Sequence, residues 1–257
     1  MKKGQVTIFI IAGILIVVAI VLFFFFRGGV IPGIGEKPEE NPGSFLEVCI
    51  KDKLIEGVEL ISSQGGYLEN TLNRTFKFSD EKVFTDISYL CYNGNYYLSC
   101  INQEPMLIQH LKAELKSYVL DDVRECFDNL VSSLDRRGYV VDATYNGFEV
   151  EFMTKKIIID VDGGIVLTKS GEVTRQEEIE MVIPTMFYDL AIVVQEIVSQ
   201  EARFCNFETL GFMAFYPKFD IRRFKTGDGT TIYTVQHKDT KEEFKFAVRG
   251  CVIPPGF

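Results

Sequence analysis

An uninterrupted apolar run near the start of the sequence restricts this chain more than any other feature. Residues Val6 to Phe26 form a stretch of 21 positions without a charged side chain. A helix of that length spans about 30 Å, which matches the hydrocarbon core of a bilayer. A helix of a soluble core would carry a polar stripe, and this run has none. The sequence therefore predicts a transmembrane helix over residues 6–26, with the lipid bilayer as its partner.

The charges that flank this run predict its orientation. Lys2 and Lys3 precede it, whereas only Arg27 follows it closely. Because cationic flanks remain in the cytoplasm, we expect residues 1–5 inside the cell and the C-terminal domain outside. The run also lacks the small-x-small cleavage site of a secretory signal peptide. It is therefore expected to stay on the protein as a single-pass anchor in the cell membrane.

A change of composition follows the anchor. Residues 27–43 are rich in glycine and proline, which predicts a flexible linker. Ser44 and Glu47 then have the spacing of a capping box, which predicts that a helix and a domain begin at Ser44. We expect this extracytoplasmic domain to cover residues 44–257, with a subdivision near residue 138 where helical patterns give way to strand patterns.

The pattern of apolar residues predicts an α+β domain with helices packed on an antiparallel sheet. Helical spacing occurs from Ser44 to Gly65, from Pro105 to Gly138 and from Pro184 to Cys205. Strand-like runs occupy the remaining segments. Three glycine-containing motifs are expected to be turns, and two of them would divide residues 139–169 into a meander of short hairpins: Asn93-Gly94, Asn146-Gly147 and Asp162-Gly163-Gly164.

The outer part of the chain is strongly acidic. The full sequence carries 36 acidic and 27 basic residues, a net charge of −9. Removing residues 1–27 takes away three positive charges and no negative one, so the remainder carries −12. Such a surface repels nucleic acid and anionic lipid. We expect no nucleic-acid partner, and the candidate partners are envelope proteins, glycans or a second copy of the chain.

Six cysteines lie in the part expected outside: Cys49, Cys91, Cys100, Cys126, Cys205 and Cys251. In an oxidising compartment an even number predicts disulfides, although the sequence alone leaves several connectivities open. We favour a local bridge, a bridge between two helices and a bridge from a helix end to the last strand: Cys91–Cys100, Cys49–Cys126 and Cys205–Cys251. Zinc is the competing interpretation, but no C-x-x-C pair occurs, so we expect no metal site.

Histidine-containing candidates for catalysis are few. His110 and Glu114 lie four residues apart on a predicted helix, a spacing typical of a surface pair. His237 falls at a predicted strand end, just before a turn. No metalloprotease, phosphate-loop, nucleophile-elbow or dinucleotide-binding motif is present. We therefore assign no catalytic residue and no cofactor, and an enzyme built from scattered carboxylates stays an alternative.

One acidic stretch resembles the start of a calcium loop. Asp160 and Asp162 have the spacing of the first ligands, but a calcium loop requires glycine at its sixth place and glutamate at its twelfth. Those places hold Ile165 and Gly171. A β-hairpin turn is the favoured interpretation of this stretch.

Asn73 begins an N-x-T sequon, Asn73-Arg74-Thr75. In an exported domain this motif predicts a surface loop and a glycosylation acceptor. A chance tripeptide is the alternative.

An aromatic cluster follows the third predicted helix: Phe204, Phe207, Phe212, Phe215, Tyr216 and Phe219. Packing between that helix and the strands is the favoured use of these side chains. An exposed interaction patch is the alternative.

The residues before the apolar run carry a resemblance. The stretch from Lys2 to Thr7, KKGQVT, resembles the class III signal of archaeal type IV pilin-like proteins. That resemblance implies cleavage between Gly4 and Gln5, with the apolar helix retained on the product. The chain is also similar to uncharacterised single-span archaeal surface proteins, through its GQVTIFI start and a first outer helix that ends in SQGGY.

Three hypotheses about function follow. The first is a membrane-anchored extracytoplasmic protein that acts by binding or assembly at the cell envelope, not by catalysis. The second is a pilin-like subunit that is processed between Gly4 and Gln5 and polymerises through its apolar helix. The third is an envelope hydrolase, which requires a pocket where carboxylates or a histidine converge.

Overall fold

Five helices and ten strands make up the part of the chain that the computed structural model describes, residues 41–79 and 82–254. The helices are α1 (Pro42–Ser63), α2 (Leu107–Tyr118), α3 (Leu120–Arg136), α4 (Phe187–Phe204) and α5 (Thr209–Phe215). The strands are β1 (Asn73–Phe76), β2 (Thr85–Tyr92), β3 (Ile101–Asn102), β4 (Val140–Met153), β5 (Lys156–Lys169), β6 (Glu172–Gln176), β7 (Ile179–Pro184), β8 (Phe219–Lys225), β9 (Thr231–His237) and β10 (Glu243–Arg249). The fold class is α+β, as the sequence predicted.

The predicted cytoplasmic residues 1–5, the predicted transmembrane helix and nearly all of the predicted linker lie outside the described residues. Within the described ranges, no helix is long and apolar enough to cross a bilayer. The linker was predicted to extend to residue 43, but Pro42 and Gly43 already belong to α1. Proline is compatible with a first helical turn because its fixed φ is helical and its missing N–H has no partner there. Ser44 therefore lies inside the helix and is not its N-cap.

The second predicted helix forms as two. The backbone at Val119 has φ −98° and ψ 6°, which separates α2 from α3. The apolar residues at helical spacing between Pro105 and Gly138 nevertheless form one stripe across the break, and these eight are buried: Leu107, Leu111, Leu115, Val119, Val123, Phe127, Leu130 and Leu134. The spacing identified the buried face correctly but not the change of backbone conformation in the middle.

The larger sheet has the strand order β1-β2-β10-β9-β8, with β3 paired to β2. Its described pairs are antiparallel, as predicted, except for β2 and β10, which run parallel. Helix α4 contacts β2, β9 and β10. The helical spacing predicted from Pro184 to Cys205 places five apolar residues on one side of this helix, and all five are buried: Phe187, Leu190, Ala191, Val194 and Val198.

The smaller sheet corrects the predicted meander of short hairpins. Residues 140–153 and 156–169 are two long strands, and each runs straight through its predicted turn. The register shifts between Tyr145 and Gly147, so the Asn-Gly pair forms a β-bulge. A Cβ on Gly163 would lie 2.1 Å from the carbonyl oxygen of Thr144. Gly163 is therefore required for close approach of the two backbones, not for a turn.

Strand β5 is the centre of the smaller sheet. It pairs with β4 along one edge and with β6 and β7 in succession along the other. The connection from β5 to β6 is a two-residue turn, Ser170-Gly171, with φ values of 54° and 86°. Positive φ at both positions is the geometry of a type I′ hairpin turn.

One apolar core joins the two sheets. Helix α1 contacts both β7 of the smaller sheet and β10 of the larger one, and it also packs against α2 and α3. Helix α4 likewise contacts strands of both sheets. Residues on both sides of position 138 contribute to this core, and the described residues from Pro42 onward form one compact unit.

Candidate binding site

A groove between α4 and α5 opens on the surface with a volume of about 930 Å³. Its apolar wall is formed by Tyr188 and Ile192 of α4, Phe212 of α5, and Tyr216 and Phe219 beyond it. Residues of β3, the segment after it and the β4–β5 turn close the far end: Asn102, Pro105 and Thr154. We call this feature the α4–α5 groove.

Each wall of the groove follows from the local sequence. Helix α4 has apolar residues on more than one face. Leu190 and Val194 are buried in the core, whereas Ile192 lies on another face and is 43% exposed. On α5, Phe212 and Met213 pack against the core, whereas Leu210 and Phe215 point outward. The rings of Phe212 and Tyr216 lie 4.6 Å apart between centroids, which makes a continuous aromatic surface.

The corner between α4 and α5 is held by several contacts. Cys205 ends α4 with φ 55° and is bonded to Cys251. Arg223 donates from Nη1 to the Asn206 side chain at 3.1 Å and to the Phe207 carbonyl at 3.4 Å. The backbone N–H of Ile221 lies 3.2 Å from the Met213 sulfur. A groove built on such a corner is preorganised, which lowers the entropy lost when a partner binds.

The polar rim of the groove is acidic. Asp189 accepts a hydrogen bond from the Lys155 N–H at 2.7 Å, and Glu196 accepts one from Gln200 at 2.6 Å. Among the described residues that line the groove there is no lysine or arginine. The site thus combines an aromatic wall with carboxylates, an arrangement that suits an apolar group with cationic neighbours.

The predicted aromatic cluster divides into two sets. Phe207 is buried, and Phe212 and Phe219 pack against the core, as favoured. Phe204, Phe215 and Tyr216 are 70%, 84% and 55% exposed, so core packing was the wrong expectation for these three side chains. The sequence could not distinguish the sets because α5 has only seven residues, too few for a helical stripe to be read.

The structure contains three disulfides, in the pairing that the sequence analysis favoured: Cys49–Cys126, Cys91–Cys100 and Cys205–Cys251. The described part of the chain has no free cysteine. Cys91 and Cys100 are bridged across an eight-residue loop, so the predicted Asn93-Gly94 tight turn does not form. Within the same part of the chain, no group of three or more acidic, histidine or cysteine residues has a metal-binding arrangement.

His110 and Glu114 both hold the segment that follows α1. A ring nitrogen of His110 lies 2.9 Å from the Gly66 carbonyl, and Glu114 accepts from the Leu68 N–H at 2.8 Å. Tyr67 stands between them, packs against the His110 ring and donates to Glu104 at 2.6 Å. Burial and the Glu104 carboxylate raise the pKa of the Tyr67 phenol. These residues fix a loop to α2 and are not a simple surface pair.

His237 ends β9 and begins the turn to β10, as predicted. It is buried, its Nδ1 lies 3.2 Å from the Thr240 hydroxyl, and its ring contacts Phe219. The Thr240 hydroxyl beside the imidazole belongs to the same turn and also accepts a hydrogen bond from the Glu242 N–H at 3.4 Å. His237 stabilises the turn.

Asn73 is the first residue of β1 and not part of a loop, which corrects the prediction for the sequon. Its side-chain nitrogen donates to the Asn70 carbonyl, Arg74 pairs with Asp228 at 2.9 Å, and Thr75 donates to Asp86. All three side chains of the sequon are therefore engaged in the folded domain. A glycan on Asn73 would have to replace the first of these contacts.

The predicted leader cleavage point at Gly4 and Gln5 lies outside the described residues. The residues on α4 that face the groove carry no distinguishing signal in the sequence, because exposed Ile192 and half-buried Tyr188 look like part of an ordinary amphipathic helix. Comparisons with models of protein families, with curated proteins and with solved structures gave no match to this chain.

Proposed function

We propose that this chain is a membrane-anchored extracytoplasmic protein that binds a protein partner at the cell envelope through the α4–α5 groove. Two features support the location. The apolar run over residues 6–26 has the length of a membrane span. The three disulfides fit an oxidising environment outside the cytoplasm.

The exposed apolar residues in and next to the groove are the observation that carries the proposal of binding. Ile192 and Tyr216 line the groove and are 43% and 55% exposed, and Phe215, which precedes Tyr216 at the end of α5, is 84% exposed. Single exposed apolar residues are ordinary, but an aromatic surface next to a preformed groove is typical of a protein-interaction site.

The rim indicates the chemistry of the partner. Because Asp189 and Glu196 border the groove and the outer chain carries −12, a cationic segment is attracted and an acidic one is repelled. We infer that the partner presents an aliphatic or aromatic side chain flanked by lysine or arginine. A second copy of this acidic chain is therefore disfavoured as the occupant.

Site-specific photocrosslinking in cells tests the groove. A benzophenone amino acid is placed at Ile192. The matched control carries it at Val173, an exposed valine on β6 of the smaller sheet. We expect a protein adduct from position 192 that is lost when Phe215→Glu is added, and none from position 173. Equal amounts of protein adduct from both positions, or adducts with lipid alone, would show that the groove is not a protein-binding site.

Fractionation of cells that express the full chain tests the location separately. We expect the protein to stay with membranes after alkaline extraction and its domain to be cut by protease added outside intact cells. Thiol labelling without reductant should modify no cysteine. Six labelled cysteines would place the domain in a reducing compartment and reverse the proposed topology.

The N-terminal residues favour a second candidate, a pilin-like subunit. The observation is the KKGQVT stretch from Lys2 to Thr7. This candidate is supported if intact-mass analysis of the membrane-extracted protein shows loss of residues 1–4 and electron microscopy shows filaments. Monomers with an uncut N-terminus would exclude it and leave the anchored binding protein.

A further inference from the structure

A second cavity lies beside the Cys205–Cys251 bridge, apart from the α4–α5 groove. It has a volume of about 420 Å³, and both half-cystines form part of its lining. Neither cysteine is fully buried. By contrast, Cys91 and Cys100 are 0% and 4% exposed, so the solvent does not reach that bridge. An incoming thiolate needs access to a sulfur atom, and the cavity provides it.

The residues that line this cavity carry a net positive charge, whereas the domain as a whole is acidic. Arg223 and Lys225 line it together with a single carboxylate, Glu201. Glu201 is buried and accepts a hydrogen bond from the Tyr233 hydroxyl. Asp228, which is close in sequence, is paired with Arg74. The lining therefore has one more positive than negative charge, in a domain that carries −12.

The backbone at this bridge is also unusual. Cys205 and Cys251 have φ values of 55° and 49°. Residues with a Cβ rarely adopt this left-handed conformation, which is disfavoured by steric contact. The four other half-cystines do not have it. Opening of the bridge leaves both residues free to relax, which favours exchange here over exchange at the other two bridges.

The Cys49–Cys126 bridge is exposed at Cys49 and buried at Cys126, and it lacks the cationic lining. Asp52 follows Cys49 by one helical turn, and Asp122 precedes Cys126 by one turn. Lys53 is the nearby cation on α1, and it pairs with Glu56 at 3.1 Å. This bridge therefore serves as a comparison within the same protein, since solvent reaches it at Cys49 without passing a cationic cavity.

We propose that the Cys205–Cys251 bridge is a thiol–disulfide exchange site that takes small anionic thiols. The thiolate attacks one sulfur and forms a mixed disulfide with that cysteine. The Cys205–Cys251 bond breaks, and the other cysteine leaves as a thiolate that takes up a proton from solvent. The released cysteine closes the bridge again by expelling the small thiol, so no further oxidant or reductant is consumed.

Three small thiols of different charge test the proposal on the full chain in detergent: 2-mercaptoethanesulfonate, 2-mercaptoethanol and cysteamine. Rates are measured per thiolate at about 0.15 M ionic strength, where the Debye length of about 8 Å leaves mainly local charges active. Samples are quenched with a maleimide, and each bridge is followed by peptide mass spectrometry.

At Cys205–Cys251 we expect the anionic thiolate to react about tenfold faster than the cationic one, since local charge of one sign changes encounter rates by this order. Cys91–Cys100 should stay closed in the folded protein, and Cys49–Cys126 should show no preference for the anion. Raising the salt to 1 M should remove most of the preference without any change to the protein.

Variants locate the charges responsible. Lys225→Gln, at an exposed position, should lower the anion preference, and adding Arg223→Gln should abolish it. The charge-matched control is Arg222→Gln with Lys245→Gln, which removes two cations from the opposite face of the same sheet. If the bridge opens no faster than Cys91–Cys100, or if the preference is unchanged in Lys225→Gln, the proposal is wrong.

Discussion

At the scale of single residues, Gly163 shows how one backbone contact determines a strand pairing. It lies on β5 where the bulge of β4 passes it, and the Thr144 carbonyl oxygen occupies the space that a Cβ would need. The neighbouring backbone cannot yield as a flexible side chain would. The long β4–β5 hairpin therefore depends on the absence of a side chain here.

We expect Gly163→Ala to lower the free energy of unfolding by about 1–3 kcal/mol, the range for forced overpacking. Urea denaturation followed by circular dichroism measures it. Gly227→Ala is the matched control, because a Cβ there meets nothing within 4 Å and the position does not require positive φ. Equal stability of the two variants would contradict the role assigned to Gly163.

The buried phenol of Tyr233 makes the stability of the folded protein depend on alkaline pH. Burial, together with the hydrogen bond and charge of Glu201, raises the pKa of its phenol above the usual value. Above about pH 10 the unfolded chain loses this proton while the native protein retains it. The free energy of unfolding therefore falls with rising pH, by about 1.4 kcal/mol per pH unit for this one group.

Tyr233→Phe should remove that contribution to the slope, even though it lowers stability at neutral pH by leaving Glu201 without its donor. Stability is measured by urea unfolding between pH 9 and pH 11, with short incubation to limit disulfide exchange. Tyr97→Phe, an exposed tyrosine, serves as the control and should keep the full slope. A parallel pH dependence in both variants would count against the assignment.

At the scale of elements, α4 receives its N-terminal cap from a distant loop. The Glu242 carboxylate, which lies between β9 and β10, accepts from the Met186 N–H at 2.8 Å and from the Thr185 hydroxyl. Thr185 in turn accepts from the Phe187 N–H at 3.1 Å. A negative charge at this end also interacts favourably with the helix dipole. The start of α4 is thus coupled to the larger sheet.

Glu242→Ala should lower the free energy of unfolding by about 2 kcal/mol, because two donors at the helix start lose a charged acceptor. Chemical denaturation provides the measurement. Asp239→Ala, in the same turn but exposed, should change stability by less than about 0.5 kcal/mol. If stability falls only in Asp239→Ala, or in neither variant, the Glu242 cap does not stabilise α4.

At the scale of the whole molecule, the Cys49–Cys126 bridge connects α1 to α3 across 77 residues of sequence. Linking residues so far apart restricts the unfolded chain strongly. The same two helices are also held together by buried leucines, so the native packing does not depend on the bridge. The bridge therefore acts mainly on the unfolded state.

The double variant Cys49→Ala, Cys126→Ala should fold but lose about 4 kcal/mol of stability, the chain-entropy value for a loop of this length. Mass analysis first establishes that the other two bridges are intact. Val48→Ala, an exposed neighbour on α1, should be close to neutral. A loss below about 1 kcal/mol would mean that the unfolded chain is already compact in this region.

The sequence by itself determined the buried faces of the helices, the α+β class, the strands after residue 219 and the favoured disulfide pairing. Helical spacing and the alternation of apolar residues record which side of an element meets the core, since burial is a property of each position. Cysteine spacing and the neighbouring apolar faces favoured one set of partners among several open connectivities, and the structure contains that set. The location of the chain and the anchor over residues 6–26 stay predictions.

The tertiary structure alone decided the meaning of the glycine motifs, the groove and the cavity beside Cys205. An Asn-Gly pair permits a turn or a bulge, and the opposing strand selects between them at Gly163. Exposure of Phe215 and the neighbours of Arg223 depend on segments far apart in sequence. No local pattern encodes such contacts, because they arise only when the two sheets share one core.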